Sequence, residues 1–300
     1  MQRGGTIRRT IGRLGYIFIL FVLVFSCSRK KEQSVVLIIH QFQLPYSRTL
    51  FESGVTKTAD SLNVPIALFS CTEFSDLPET VVDSLIDISQ AVALSCLDSS
   101  IIATILQQKN ETAPLLGFDQ RLSVQSTLYI DTDPYTAGKQ AGDYIKSQFG
   151  NSGTFAIITP SLENERSNEC IRGFRERLGI AQNRWKQLNI LTCNSPNYII
   201  STQFRRLSAL QPKPVWLVAG ACENFLSSIR EDKGDNYFLT MALDLENRQL
   251  LDHSMFDALA VKDYYRMGEM IIENGIKLES EPAPAARNLN CGVRIISSKE

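Results

Sequence analysis

Eleven polar or aromatic residues of this 300-residue chain lie within or just after the short turns that follow apolar runs. Carboxylates, guanidinium groups and amides can form paired hydrogen bonds with hydroxyls or carboxylates, and aromatic rings can cover the apolar patches of a small molecule. The pattern therefore predicts a cleft that binds a small polar ligand. The candidate ligand-binding residues are His40, Gln43, Tyr46, Asp119, Gln120, Arg166, Asn168, Tyr198, Glu223, Asp244 and Lys262.

Each candidate also has a structural interpretation that stays open at this point. Asp119 can serve as a turn former, and Asp244 as a helix N-cap. Lys262 and Glu223 can form a structural ion pair of little energetic value. Burying a charge without a partner costs several kcal/mol, so the charged candidates in a closed cleft must pair with the ligand or with one another. Positions near helix starts often have no ligand role, which applies to Tyr46, Arg166 and Tyr198.

The sequence offers little for catalysis or metal binding. It contains no G-x-S-x-G, H-E-x-x-H, Walker or G-x-G-x-x-G motif. Its two histidines, His40 and His253, leave few candidates for the commonest general base. No two cysteines have the C-x-x-C spacing of a zinc or redox site. We therefore predict a protein that is not an enzyme and that has no catalytic residues, metal or cofactor.

Apolar runs alternate with amphipathic stretches along the first half of the chain, as in an α/β fold. The runs show little polar alternation, which is typical of parallel strands covered by helices on both faces. Strands are predicted at 35–39, 66–71, 91–95 and 114–118, and helices at 48–62, 79–88 and 101–109.

A second set of strands and helices begins after Asp133, which we interpret as an N-cap with Pro134 in the first helical turn. Ligand sites in such sheets lie beyond the carboxyl ends of the strands. The fold class is therefore α/β, with two doubly wound parallel-sheet domains joined by a multi-strand hinge. The predicted N-terminal lobe is 35–131 plus 262–288, and the C-terminal lobe is 132–261 plus 289–300. Strands are predicted at 154–159, 188–192, 215–219, 238–242, 258–261 and 293–296, and helices at 134–149, 168–178, 198–210, 223–230 and 264–274.

The first 27 residues have the pattern of a signal peptide, with four arginines before a 13-residue apolar stretch that is too short to span a bilayer. A small residue, Ser26, precedes Cys27, which predicts a lipoprotein whose Cys27 carries lipid; an ordinary signal peptide is the alternative. Residues 28–34 form a polar tether. Without the leader's four arginines, 27 basic residues face 32 acidic ones, a charge of about −5 that argues against nucleic-acid binding. The six remaining cysteines are expected to be mostly buried free thiols.

Several segments, in order along the chain, resemble the type I periplasmic binding proteins of the ribose and galactose kind, which share their fold with the sensor core of LacI-type repressors. The loop 40–46 after the first strand is similar to the family's polar loop with a proline and an aromatic residue. The segment 116–120 is similar to the strand ending in Asp119, and 129–138 to the stretch that crosses between lobes. The helix residues Gly173 and Phe174 match a Gly-Phe pair of the family.

The chain departs from the family pattern where ligand would bind. Asn168 stands at an arginine position, Cys222 and Glu223 replace an Asn-Asp pair, and Lys262 replaces a glutamine. Of the Gly-Phe-Asp-Gly turn only Asp244 remains. These differences favour a ligand other than a standard hexose or pentose.

The resemblance implies a monomeric receptor that captures a sugar or sugar-like solute and delivers it to an ABC transporter on the outer side of a bacterial membrane. A sensory receptor that signals to a membrane kinase or chemoreceptor is the first alternative. A surface lipoprotein that has lost ligand binding is the second. A repressor is disfavoured, because a leader peptide stands where the DNA-binding helix-turn-helix would be.

Overall fold

The computed structural model describes most of the chain after the tether. The described residues are 35–42, 45–70, 85, 88–95, 99–109, 113–182, 184–193, 195–220, 222, 229, 232–243, 256–280 and 287–297. The predicted leader, Cys27, the tether, most of the predicted helix 79–88 and nearly all of the predicted helix 223–230 lie outside them. No helix within these residues is both long enough and apolar enough to cross a membrane.

The first lobe is a six-stranded sheet with the strand order β11-β5-β4-β3-β1-β2, in which every neighbouring pair is parallel. Its apolar strands are buried on both faces, as expected for a parallel sheet covered by helices. The strands are β1 (Val35–His40), β2 (Ile66–Ser70), β3 (Ser89–Ser95), β4 (Leu115–Phe118), β5 (Leu128–Asp131) and β11 (Arg287–Asn290), and the helices are α1 (Pro45–Leu62), α2 (Ser99–Gln108) and α6 (Tyr264–Ser280).

The second lobe is a separate six-stranded sheet with the order β12-β10-β9-β8-β6-β7. Only the edge strand β12 runs antiparallel to its neighbour, so the prediction of two mostly parallel α/β sheets is confirmed. The strands are β6 (Gly153–Thr159), β7 (Trp185–Thr192), β8 (Val215–Ala219), β9 (Tyr237–Ala242), β10 (Ala258–Lys262) and β12 (Val293–Ser297), and the helices are α3 (Pro134–Phe149), α4 (Glu165–Leu178) and α5 (Asn197–Ser208).

Three chain segments connect the two sheets and hydrogen-bond to one another where they cross. The Cys291 amide donates to the carbonyl of Asp131, and the Asp263 amide donates to the carbonyl of Gly292. The Thr132 hydroxyl donates to the same Gly292 carbonyl at 2.9 Å. These bonds bundle the three crossings into one hinge, so residues at the ends of β5, β10 and β11 lie close to both lobes.

Helices α3 and α4 of the second lobe pack closely because glycines line their contact. A Cβ atom at Gly138 would lie 2.0 Å from the carbonyl oxygen of Cys170, and one at Gly173 would lie 2.0 Å from that of Tyr135. Such distances are far inside van der Waals contact, so only glycine fits. The Asp133 carboxylate accepts the amide of Thr136 and begins α3, which confirms the predicted N-cap.

The structure corrects three expectations from the sequence. Strands β5 and β11 were not predicted as strands, and β5 was read only as a crossing segment. The expectation of free thiols is confirmed for Cys170 and Cys291 but wrong for two others, which form a disulfide. Cys193 and Cys222 follow β7 and β8, the two neighbours of β6, so the carboxyl ends of these strands bring them to a Cα–Cα distance of 6.0 Å. Cys71 and Cys96 lie outside the described residues.

Candidate functional site

A buried lysine at the hinge lies at the centre of the candidate site. Lys262 ends β10, and its Nζ lies 2.9 Å from Oδ1 of Asp119 and 2.8 Å from Oδ1 of Asp131. The three side chains are 5%, 4% and 11% exposed. Although burial by itself lowers it, the pKa of Lys262 is raised above its ordinary value because Asp119 and Asp131 stabilise the ammonium. Lys262 is therefore charged, and it joins a strand of the second sheet to two strand ends of the first.

Asp131 extends this charge cluster to the second lobe. Its Oδ2 lies 3.3 Å from the guanidinium Nη1 of Arg166 and accepts a longer hydrogen bond, 3.4 Å, from the Tyr129 hydroxyl. Burial and the nearby Asp131 raise the pKa of Tyr129, so this hydroxyl keeps its proton and remains a donor. Two carboxylates and two cations thus alternate from Asp119 through Lys262 and Asp131 to Arg166. The formal charges of these four residues sum to zero.

The local backbone explains why these side chains converge. Asp119 follows β4 directly and adopts a left-handed conformation with φ 61°, which aspartate tolerates better than most residues. Its amide donates to the carbonyl of Ile130, and its own carbonyl lies 3.3 Å from Nζ of Lys262. Arg166 lies in the first turn of α4, whose N-cap Asn164 accepts the amide of Ser167.

A cavity of about 550 Å³ opens beside this charge cluster, and we call it the hinge-side cavity. It is formed by the loop after β4, by β5 and β11, and by the first turns of α3 and α4, so both lobes contribute to it. Its volume falls within the range typical of small-molecule sites. Six of its polar lining residues are Arg121, Tyr129, Asp131, Glu165, Arg166 and Asn288.

His40, a predicted ligand-binding residue, has no exposed surface in this structure. Its ring packs against Phe42 and Phe51, and its Nδ1 faces the amide of Phe42 at 3.4 Å. Burial lowers the pKa of His40 to about 4, although Glu52, 3.5 Å from Nε2, partly opposes this effect. The imidazole is therefore neutral at pH 7, and its role in ligand binding stays a prediction.

The structure brings only some of the other candidates together. Asp119, Arg166 and Lys262 belong to the charge cluster, and Gln120 follows Asp119 with its Oε1 buried. Tyr46 packs near Leu259 and Val261 of β10. Asn168 donates to the carbonyl of Leu162, and Tyr198 is 73% exposed at the start of α5. Gln43, Glu223 and Asp244 lie outside the described residues. The ligand roles of all these residues remain predictions.

Of the thirteen residues that line the cavity only Arg166 was a sequence candidate, and the twelve others include the charged residues Asp131, Arg121 and Glu165. Asp131 lies within the crossing segment 129–138 that carries the family resemblance, and this position was a signal for it. Arg121 directly follows the predicted pair Asp119 and Gln120. Glu165 directly precedes the predicted ligand-binding residue Arg166, and this adjacency was the signal for it.

Comparisons with known proteins agree with this architecture. Residues 72–281 match the family model described as a periplasmic binding protein domain. No curated protein sequence matches the chain.

Solved structures give the same fold at low sequence identity. AraP, an arabinose-binding protein from Geobacillus stearothermophilus, is similar with a TM-score of 0.63 and 15% identity over 89% of this chain and 97% of that chain. A sugar-binding protein of a sugar ABC transporter from Bacillus halodurans has a TM-score of 0.59 and 16% identity over 89% and 98%. A chain of the XylFII–LytSN complex has a TM-score of 0.65 and 12% identity over 89% and 99%.

Proposed function

The chain belongs to the periplasmic binding protein family, and from this membership we propose that it is an exported receptor that captures a small, polar, sugar-like solute between its two lobes. In this proposal the leader is removed, Cys27 carries the lipid that anchors the chain, and the two lobes close on the solute as a monomer. Ligand contacts from both lobes would favour the closed arrangement, since a ligand shifts an equilibrium by its difference in affinity for the two states.

The observation that carries this proposal is the polar cavity at the hinge, to which both lobes contribute charged and amide groups. Polar groups in a ligand cavity fix the orientation of a solute through directed hydrogen bonds. In the adjoining charge cluster, Lys262 and Arg166 are already matched by Asp119 and Asp131. The four charges of this cluster are therefore compensated within the protein.

Delivery to an ABC transporter is the partner interaction that we propose. One similar structure is described as the sugar-binding protein of a sugar ABC transporter, and this description supports the transport role. The alternative is a sensory receptor, because another similar chain forms a complex with a second protein, LytSN. Both roles use the same solute-binding step, so the solute is tested first.

Binding rather than catalysis is supported by the state of His40. Its imidazole is fully buried and burial lowers its pKa to about 4, so it is poorly suited to general-base chemistry near neutral pH.

A thermal-shift screen of pentoses, hexoses and their acid and amino derivatives tests the proposal. A solute present at 100 times its Kd stabilises the folded state by about 2.7 kcal/mol, which raises the melting temperature of a chain of this size by about 5 to 10 °C. We expect such a shift for at least one sugar. If no member of the panel shifts the midpoint at millimolar concentration, the receptor proposal is wrong and a surface lipoprotein without a ligand becomes the better interpretation.

The lipid anchor has a separate test. Cells that express the full-length chain are grown with radiolabelled palmitate, and the label on the protein is measured. We expect label on the wild type and none on a Cys27→Ala variant. Equal labelling of the two chains, or none on either, would refute lipid attachment at Cys27.

A further inference from the structure

We infer that the solute is held in the hinge-side cavity by Arg121 from the first lobe and Glu165 from the second, and that it is an uncharged polyhydroxylated molecule. This inference rests on the proposed function and specifies where and how the receptor would bind its solute. Neither residue was a candidate from the sequence, which predicted five contacts from the first lobe: His40, Gln43, Tyr46, Asp119 and Gln120.

Asp119 is already paired with Lys262 inside the protein. Its carboxylate is 4% exposed and lies 2.9 Å from the ammonium of Lys262, which also approaches the Asp119 carbonyl. A solute that hydrogen-bonded to Asp119 would have to compete with a buried ion pair. Removing one partner of such a pair is costly, because it leaves the other charge uncompensated. Asp119 therefore serves to fix Lys262 and the hinge.

Three other acidic residues that line the cavity also have partners within the protein. Asp131 faces Lys262 and Arg166, and Asp133 caps α3 through Thr136. Glu169 pairs with Arg172, one turn further along α4. These three carboxylates have protein partners, so each offers a solute fewer free acceptor sites than a carboxylate without a partner.

Other polar side chains that line the cavity are left to contact a solute. Arg121, Glu165 and Asn288 line the cavity as exposed residues, and within the described part of the chain none of them forms a side-chain hydrogen bond or ion pair. Arg121 follows β4 in the first lobe, and Glu165 opens α4 in the second. A solute that contacts both would connect the two lobes. This is the contact that ligand-driven closure requires.

The chemistry of these groups defines the solute. A carboxylate accepts hydrogen bonds from hydroxyl groups, a guanidinium donates to hydroxyl and ring oxygens, and a carboxamide does both. Hydrogen bonds to charged groups are about twice as strong as those between neutral groups. Arg121 and Glu165 also balance each other's charge. A neutral solute that carries several hydroxyl groups can hydrogen-bond to both.

The test measures binding by isothermal titration calorimetry to the mature protein. The probes represent the uncharged and charged classes of solute and need not be the natural ligand: two neutral sugars, L-arabinose and D-galactose, and two charged relatives, D-galacturonate and D-glucosamine. The variants are Arg121→Ala and Glu165→Gln in the cavity, with Tyr46→Phe and Gln120→Ala at the positions expected from the sequence. Arg206→Ala is the matched control, because Arg206 is an exposed arginine on α5, away from the cavity.

We expect a neutral sugar to bind at least tenfold more tightly than its charged relative. Arg121→Ala and Glu165→Gln should each weaken that sugar at least tenfold, while Tyr46→Phe, Gln120→Ala and Arg206→Ala change its affinity less than threefold. If a sugar binds but only Tyr46→Phe or Gln120→Ala weakens it, or if a charged relative binds more tightly, the inference is overturned and the receptor function stands. If none of the four probes binds, the inference is overturned as well, and the wider screen decides the receptor function separately.

Discussion

Removing the Cys193–Cys222 disulfide should destabilise the second lobe by an amount that follows from its position in the chain. The two cysteines are 29 residues apart in sequence. A cross-link that closes a loop of this length removes chain entropy from the unfolded state, and the resulting stabilisation of the folded state is about 3.6 kcal/mol. For a chain of this size we therefore expect the double variant Cys193→Ser/Cys222→Ser to melt about 6 °C below the wild type.

Differential scanning fluorimetry of the oxidised protein, the two single variants and the double variant provides the assay. Either single substitution abolishes the cross-link, so each single variant should lose nearly as much stability as the double variant. This pattern differs from two independent packing defects, whose effects would add. A double variant that melts within 2 °C of the oxidised wild type, or single losses that sum to the double loss, would refute the reasoning.

Three further perturbations test the hinge, the buried histidine and the helix contact. Lys262→Met leaves Asp119 and Asp131 without their buried cation, so urea unfolding should show that the free energy of unfolding falls by about 3 to 5 kcal/mol, and by less for Lys262→Arg. A fall of less than about 1 kcal/mol for Lys262→Met would contradict the ion-pair argument. The pKa of His40 is lowered from 6.5 to about 4 in the folded state, so on acidification the unfolded state binds the proton first, and the contribution of His40 to the free energy of unfolding should fall by about 2.5 kcal/mol between pH 7 and pH 4.5. Urea titrations should therefore show a flatter pH dependence for His40→Gln than for the wild type, and equal slopes would refute the assignment. Gly138→Ala should lower the free energy of unfolding by about 3 kcal/mol in chemical denaturation, because the added Cβ would lie 2.0 Å from a backbone oxygen. Gly275→Ala, whose nearest contact would be 3.5 Å, should be neutral or slightly stabilising, and equal effects of the two variants would contradict the packing account.

The alternation of apolar runs and amphipathic stretches was enough to predict most of the fold. Strand β8 is a continuous apolar run, β1 and β3 contain apolar runs at 35–39 and 91–94, and these mostly buried runs are visible without a structure. The two missed strands have no such signal. β5 is only four residues long and ends in Asp131, and β11 (Arg287–Asn290) is a polar, largely exposed edge strand. Their strand conformation depends on pairing, of β5 with both β4 and β11 and of β11 with β5, which adjacent residues do not encode.

The candidate site divides in a similar way. The sequence identified Asp119, Arg166 and Lys262 as charges that must be compensated, because burying an unpaired charge is costly anywhere in a protein. It could not identify the partners, since Lys262 and Asp119 are 143 residues apart and meet only where the lobes cross. Whether a given carboxylate is used within the protein or left for a solute is likewise decided by distances between elements.

The sequence by itself thus determined the α/β class, the two sets of strands and helices, and the charged residue types at the strand ends, because these depend on local hydrophobic patterning. Only the tertiary structure decided which charges pair, which cysteines bond and which residues face the cavity between the lobes. Those outcomes depend on the order of strands in each sheet and on the packing of the three hinge crossings. Both bring together residues that are far apart in the chain, and no local pattern records their distances.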